Sequence, residues 1–181
     1  VDGPATLEAD GTYTVVYTIV ATNTGQGPGV YDLLDTFSPG AGITLTAGIP
    51  PVATYVAGTE NDQSGTLGAY QDFVKGEALV AGMNESWTVT ANFTVDPALT
   101  TPETSACATT GSAINTGFYN LVTGSTTDTD LTDNDACTDL PQPGINLAKT
   151  VDGPATLEAD GTYTVVYTIT ATNTGQGPGV Y

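Results

Sequence analysis

Acidic side chains are the groups in this sequence whose type and spacing best suit chemistry. Five aspartates fall within twelve residues: Asp128, Asp130, Asp133, Asp135 and Asp139. Oxygen ligands at such short spacing suit Ca²⁺, which takes about six to eight of them in flexible geometry. The segment lacks the glycine and the terminal glutamate of an EF-hand loop. A solvated acidic hairpin is therefore the alternative, because charge blocks more often lie on a surface than bind a metal.

Four further residues are candidates for covalent modification. The triplets that begin at Asn84 and Asn92 fit the N-glycosylation pattern, and strand alternation predicts that Asn92 points outward. Lys149 is one of only two lysines. Some pilins join a lysine to an asparagine by an isopeptide bond, and Asn134 is the candidate partner in this sequence. A solvated surface charge is the alternative for Lys149.

The charge balance argues against several classes of function. The chain has 20 acidic residues against 2 basic ones, no histidine and a formal net charge of −18. Nucleic acids require clustered Lys and Arg, and an anionic membrane surface repels such a chain. No side chain titrates near neutrality without perturbation, and no arginine can clamp a substrate. We therefore expect no nucleic-acid partner, no membrane insertion in this segment and no enzyme, with a two-carboxylate hydrolase as the weakest alternative.

A long repeat organises the chain. Residues 151–181 match residues 1–31 at thirty of thirty-one positions, and the one mismatch sets Val20 against Thr170. The offset of 150 residues is the size of a domain rather than of a solenoid turn. We therefore expect one full repeat period and the first strands of the next. A β-branched exchange on a polar face leaves both copies able to fold alike.

Period-two alternation predicts an all-β protein. Apolar residues occupy every second position from Tyr13 to Ala21 and from Trp87 to Val95, and the positions between them are Thr or Asn except for Val16 and Val20. Shorter strands are predicted at 30–37, 43–47, 53–56, 106–110, 118–122, 136–140 and 145–151, separated by turns rich in Gly and Pro. This pattern favours an antiparallel β-sandwich. Its predicted core includes Tyr13, Tyr17, Ile19, Trp87, Val89 and Phe93.

The order of the motifs resembles a known family. Ile-Asn-Leu-Ala-Lys-Thr-Val from Ile145, Thr-Tyr-Thr-Val-Val-Tyr-Thr-Ile from Thr162 and Ala-Thr-Asn-Thr-Gly from Ala171 are similar to the conserved-repeat domain of bacterial and archaeal cell-surface proteins. Leu-Thr-Asp-Asn-Asp-Ala from Leu131 is similar to the terminal segment of that domain. The resemblance implies immunoglobulin-like β-sandwiches in tandem, in large adhesins, stalks or envelope layers. Long inserts at 59–76 and 111–130 depart from the family pattern.

The resemblance also implies a domain register, and the two cysteines of such a domain predict a disulfide. A sandwich over residues 1–143 would lack its own opening strand, and residues 144–181 would supply the opening strands of the next identical repeat. Cys107 and Cys137 would lie in the last two strands and form a disulfide, as suits an exported domain; two buried thiols are the alternative. The acidic hairpin would face the turn of the preceding domain that holds Asp2 and Asp10, so a calcium clamp between domains is expected.

These observations favour one function over two alternatives. The favoured function is a structural module of an extracellular surface filament, stalk or giant adhesin, which gains length and rigidity by repetition and contacts neighbouring copies head to tail. An adhesin or glycan-binding module is the first alternative, with Tyr70 and Phe73 of the 59–76 insert as its contact surface. A pilin-like subunit assembled by strand donation is the second. The expected location is the cell surface, and the receptor, if any, is unknown.

Overall fold

The computed structural model describes residues 1–58, 65–66, 70–108, 114–124 and 128–178, with backbone alone at 65–66 and 70–72. The chain divides into two compact units, Val1–Leu140 and Pro141–Tyr181. None of the helices among the described residues is long and apolar enough to cross a membrane.

The first unit contains two antiparallel sheets. One has the strand order β1-β2-β8-β5-β6, with β4 also paired to β8. Its strands are β1 (Thr6–Leu7), β2 (Tyr13–Thr22), β4 (Ile43–Leu45), β5 (Val52–Ala57), β6 (Gly65–Thr66) and β8 (Asn84–Val95). The other has the order β10-β9-β3-β7. Its strands are β3 (Gly29–Phe37), β7 (Tyr70–Leu79), β9 (Asn120–Thr123) and β10 (Asp135–Ala136).

The two sheets pack face to face around an aromatic core. Tyr17 contacts Phe37 edge-on, with ring centroids 6.0 Å apart, and Trp87 contacts both Tyr31 and Phe73 across the same interface. All the predicted core residues are buried: Tyr13, Tyr17, Ile19, Trp87, Val89 and Phe93. The predicted all-β antiparallel sandwich is confirmed.

Two of the sequence-based strand assignments are wrong. The described part of the predicted strand at 106–110 is irregular and follows a short helix, α1 (Pro102–Ser105). Thr101 caps this helix through its side chain, and Pro102 occupies its first turn, a position where the missing N–H costs nothing. Of the predicted strand at 136–140, only Ala136 lies in a strand, as the second residue of β10.

Part of the predicted insert at 59–76 is a strand. Residues 70–76 belong to β7, which pairs with β3 from Gly29↔Leu79 to Thr36↔Tyr70. The register shifts near Leu33, where Gly76 has a φ of 64° and donates its N–H to Asp32. A bulge of this kind breaks period-two alternation, which explains why the sequence pattern concealed this strand.

The second unit contains two strand pairs. β11 (Ile145–Val151) pairs with β14 (Tyr167–Asn173), and β12 (Thr156–Leu157) pairs with β13 (Tyr163–Thr164). The predicted strand at 145–151 is therefore present with the predicted bounds.

Candidate functional site

The candidate site is an open edge on β2. On one side β8 pairs with the whole strand, from Tyr13↔Phe93 to Thr22↔Asn84. On the other side β1 pairs with Tyr13 and Thr14, and the Asp2 N–H donates to the Val16 carbonyl at 2.8 Å. Among the described residues no strand pairs with this second side beyond Val16. An unpaired edge exposes a row of backbone donors and acceptors that invites another strand.

The second repeat copy shows which segment covers the equivalent edge. β14 has the sequence of residues 17–23 except for Thr170, and β11 pairs along it from Val151↔Tyr167 to Ile145↔Asn173. The preceding turn is the same in both copies, because the Asp152 N–H donates to the Val166 carbonyl at 2.9 Å. The covering strand thus continues from that turn along the edge that is open in the first unit.

The covering strand presents apolar side chains to the core face. Directly opposed residues of an antiparallel pair point to the same side of the sheet. Ile145, Leu147, Lys149 and Val151 therefore share a face with Tyr167, Ile169 and Ala171. The matching residues of the first copy, Tyr17, Ile19 and Ala21, lie in or against the core. A strand docked in the same register would thus extend the core with Ile145 and Leu147.

The same sequence is buried in one copy and exposed in the other. Tyr17 is 1% exposed and Tyr167 49%, whereas Ile19 is 6% exposed and Ile169 70%. Because the two segments are nearly identical in sequence, the difference arises from the strands packed around them. The exposed face of the second copy therefore corresponds to the face that is buried in the core of the first.

Two cavities in the first unit adjoin the open edge. The larger, of about 480 Å³, is lined by residues 19–25 of the edge and by residues of the opposite sheet, including Leu33 and Val122. The smaller, of about 90 Å³, lies between residues 17–20 and the segment 133–136, with Asn120 in its lining. Both cavities lie where a strand added to the β2 edge would run.

A buried carboxyl group lies in the core beside this edge. Asp35 on β3 is fully buried, and among the described residues neither of its oxygens has a well-formed hydrogen bond. Burial raises its pKa to about 7, although the nearby Asn120 side chain and Thr36 backbone favour the charged form. Burial also raises the pKa of Tyr17, and the charge of Asp35 adds to that effect. Asp35 and Tyr17 are therefore electrostatic neighbours across the core.

Asn120 accompanies Asp35 on the core face of the same sheet. It is 3% exposed, pairs with Phe37 in the β3–β9 register, and donates weakly to the Thr36 carbonyl at 3.5 Å. Neither Asp35 nor Asn120 was among the site residues predicted from the sequence. The signal for Asp35 was present, because Tyr31, Leu33, Asp35 and Phe37 alternate on the buried face of one strand.

The predicted calcium ligands serve mainly in local turns. Asp128 accepts from the Asp130 N–H and the Asn134 amide, and Asp130 accepts from both the N–H and the hydroxyl of Thr132. The Thr132 hydroxyl, followed by its N–H, lowers the pKa of Asp130. Asp133 and Asp135 are also exposed.

The other predicted ligands are similarly dispersed. Asp10 accepts from the N–H and hydroxyl of Thr12, which lower its pKa, and Asp2 is exposed. Among the described residues, no three acidic groups are close enough together to hold a metal ion. Calcium binding stays a prediction, and it requires the melting temperature to fall when EDTA is added.

The two cysteines form a disulfide with Cα atoms 5.9 Å apart. Both cysteines were predicted to lie in strands, but neither lies in one. Cys107 lies in the irregular segment after α1, and Cys137 directly follows β10. Asp139, a predicted calcium ligand, instead accepts from the Cys107 N–H at 2.7 Å. A Cβ atom on Gly117 would lie within about 3 Å of both sulfurs, and its φ is +44°, so this position requires glycine. A disulfide is typical of an oxidising compartment.

The candidate modification sites lie on or near the surface. Asn84 is exposed at the start of β8, whereas Asn92 is half-buried and accepts from the Thr14 hydroxyl at 2.9 Å. The Asn134 amide donates to Asp128 at 2.8 Å. The Lys149 ammonium lies 4.1 Å from the ring centroid of Tyr167. Glycosylation of either asparagine stays a prediction.

The proposed glycan contacts are only partly described. Phe73 is half-buried, and its ring packs edge-on against Trp87 with centroids 6.0 Å apart. It therefore belongs to the margin of the core. The side chain of Tyr70, and residues 59–64 and 67–69, lie outside the described residues.

Comparison with protein-family models, with curated proteins and with solved structures finds no match for this chain. The resemblance to conserved-repeat surface domains thus stays an interpretation of the sequence motifs.

Proposed function

We propose that this chain is a structural repeat module of an extracellular surface filament, stalk or giant adhesin. Each period of about 150 residues forms a β-sandwich that is completed by the strand preceding it, and repetition provides length and rigidity. The observation that carries this proposal is the contrast between the copies. The same 31-residue segment, with one substitution, has an unpaired strand edge in the first unit, and β11 pairs along the equivalent edge in the second.

Continuous tandem repetition explains this contrast most simply. In an array, a segment equivalent to residues 145–150 would precede each copy of the Val-Asp-Gly-Pro turn. Strand donation between separate subunits is the alternative. It is less favourable because the near-identical segments at 1–31 and 151–181 would then compete for the same place in the sheet. The partner of each module is thus an adjacent copy, arranged head to tail.

The surface chemistry supports an extracellular structural role. The net charge of −18 and the threonine-rich outer faces of β2 and β8 favour solubility. The Cys107–Cys137 disulfide suits an oxidising environment outside the cell. Together these features support a location at the cell surface.

A version of the full chain with residues 145–150 copied immediately before Val1 tests the proposal. The added strand should pair with residues 18–23 and bury Ile and Leu side chains, which contribute roughly 1.5–3 kcal/mol each when fully buried. We therefore expect a clear rise in the melting temperature of the first unit, followed by the fluorescence of Trp87.

The control carries Leu147→Asp within the copied segment, which places a charge on the core face at unchanged length. That control should lose most of the gain in melting temperature. Equal melting temperatures for the unextended, extended and control chains would contradict the proposal.

A further inference from the structure

Asp35 and Asn120 form a buried polar pair on the core face of the second sheet, and the fold gives them no evident role. Both side chains are at least nine-tenths buried, and Asp35 lacks a well-formed hydrogen bond among the described residues. A buried carboxyl without a well-formed hydrogen bond is costly to keep. Such a pair therefore points to a further group that enters this site.

The open edge of β2 leads to this pair. Asn120 lines the small cavity together with residues 17–20, and Asp35 lies near enough to Tyr17 to affect its pKa. A side chain that points inward from a strand beside residues 17–20 would therefore approach both groups. Both groups of this site, Asp35 and Asn120, lie within the first unit.

The repeat identifies the residue that would enter. In the second unit Lys149 opposes Ile169, shares the core-side face, and holds its ammonium over the ring of Tyr167. The first-unit equivalents are Ile19 and Tyr17. A strand of the 145–151 sequence docked in this register would thus direct its lysine over Tyr17, toward Asp35 and Asn120.

We infer that this lysine forms an isopeptide bond with the side chain of Asn120, with Asp35 as the acid–base group. The inference rests on the proposed function, because the lysine arrives on the strand of a neighbouring repeat copy. The donor is the residue equivalent to Lys149, and the acceptor carbon is Cγ of Asn120. Each repeat would then be joined covalently to the strand that completes it.

The chemistry balances without an added reagent. Burial disfavours both charged forms, so the lysine ammonium transfers a proton to the Asp35 carboxylate. The neutral amine attacks Cγ of Asn120 while the Asp35 carboxylic acid donates a hydrogen bond to Oδ1. A proton passes from the amine through Asp35 to Nδ2, the Cγ–Nδ2 bond breaks, and ammonia leaves. The products are one secondary amide and one ammonia, with no change of oxidation state.

Asn120 fits the acceptor role better than Asn134, the partner that the sequence suggested. Asn120 is buried beside a carboxyl of raised pKa, whereas Asn134 is half-buried in the acidic hairpin and bonded to Asp128. Amide exchange with an amine needs an acid that protonates the leaving nitrogen in a site that excludes water. Among the described residues, that combination occurs at Asp35 and Asn120.

Intact-mass measurement on the extended full chain tests the bond. The chain with residues 145–150 copied before Val1 is reduced, denatured and weighed. We expect a mass lower than that of the sequence by one ammonia. A peptide map should join the copied lysine to the peptide that contains Asn120. Asn120→Ala, Asp35→Ala and Lys149→Arg in the copied segment should each restore the full mass, whereas Asn134→Ala should keep the bond.

The outcomes separate this inference from the proposed function. A full mass together with a raised melting temperature would overturn the isopeptide bond and leave strand docking in place. A full mass with an unchanged melting temperature would overturn both. A bond that survives Asn120→Ala and disappears in Asn134→Ala would overturn the assignment of the acceptor. Since the first test uses the unsubstituted chain, a variant that fails to fold does not affect it.

Discussion

At the scale of single residues, Asp35 makes the stability of the first unit depend on pH. Its pKa rises from 3.8 to about 7 in the folded protein, so between these values the folded state holds a proton that the unfolded state has lost. Stability is therefore highest below pH 4 for this group and falls as the pH rises toward 7. For this group the free energy of unfolding falls by about 4 kcal/mol at most between pH 4 and pH 7.

Asp35→Asn tests that effect because it keeps the shape and removes the charge. Denaturant unfolding followed by Trp87 fluorescence should show stability falling between pH 4 and 7 in the unsubstituted chain and a flatter profile in the variant. Exposed Asp133→Asn is the matched control and should leave the profile unchanged. A variant profile as steep as the original would show that another group is responsible.

The disulfide permits a second prediction at this scale. It closes a loop of 30 residues, and its removal should cost about 3–4 kcal/mol on the chain-entropy model. The double variant Cys107→Ala and Cys137→Ala should therefore unfold at lower denaturant concentration than the oxidised chain. Reduced unsubstituted protein should behave like the double variant. Equal midpoints for all three would show that the bond does not stabilise the fold.

The sequence predicted some of these residues and missed others for definite reasons. The core positions of β2 and β8 followed from alternation, because both strands have one buried and one polar face. Asp35 could have been found in the same way, since it occupies a core position of β3. Asn120 could not, because its role depends on which strands become neighbours in the second sheet. The disulfide was expected, but α1 and the irregular segment around Cys107 depend on local capping by Thr101.

At the scale of elements, the two copies of the repeat provide a matched pair of substitutions. Ile19→Ala removes a buried side chain and should cost roughly 2–5 kcal/mol. Ile169→Ala removes the same side chain from an exposed face and should change stability by less than about 0.5 kcal/mol. Trp87 is the only tryptophan and lies in the first unit, so its fluorescence follows the Ile19 variant, and far-UV circular dichroism follows the strands of both units. Similar losses for the two variants would contradict the assigned burial.

The element scale also shows where sequence patterns fail. β7 escaped prediction because its pairing with β3 shifts by one residue on each side of Leu33, which interrupts its alternation. β10 is shorter than predicted, since only Asp135 and Ala136 pair with β9. β11 was predicted with its full length, because its register has no bulge and it pairs along all seven residues. Regular strands are thus predicted well, and irregular ones depend on partners distant in sequence.

At the scale of the whole molecule, the central claim is that each repeat receives its opening strand from the preceding copy. In a chain of two complete periods, the strand at 17–23 occurs again at 167–173. Only the second of these strands follows an opening strand, the one at 145–150. The copies differ at one position, Val20 against Thr170, so their peptides can be distinguished by mass. Pairing with an added strand should slow exchange of the backbone amides that face the open edge.

Hydrogen–deuterium exchange on this two-period chain is the most direct test. The peptide with Thr170 should exchange its edge-facing amides slowly, and the peptide with Val20 should exchange them quickly. A third chain, with residues 145–150 also placed before Val1, should slow the Val20 peptide to the rate of its counterpart. Equal exchange of the Val20 and Thr170 peptides in the two-period chain would contradict the claim that the preceding strand completes each repeat.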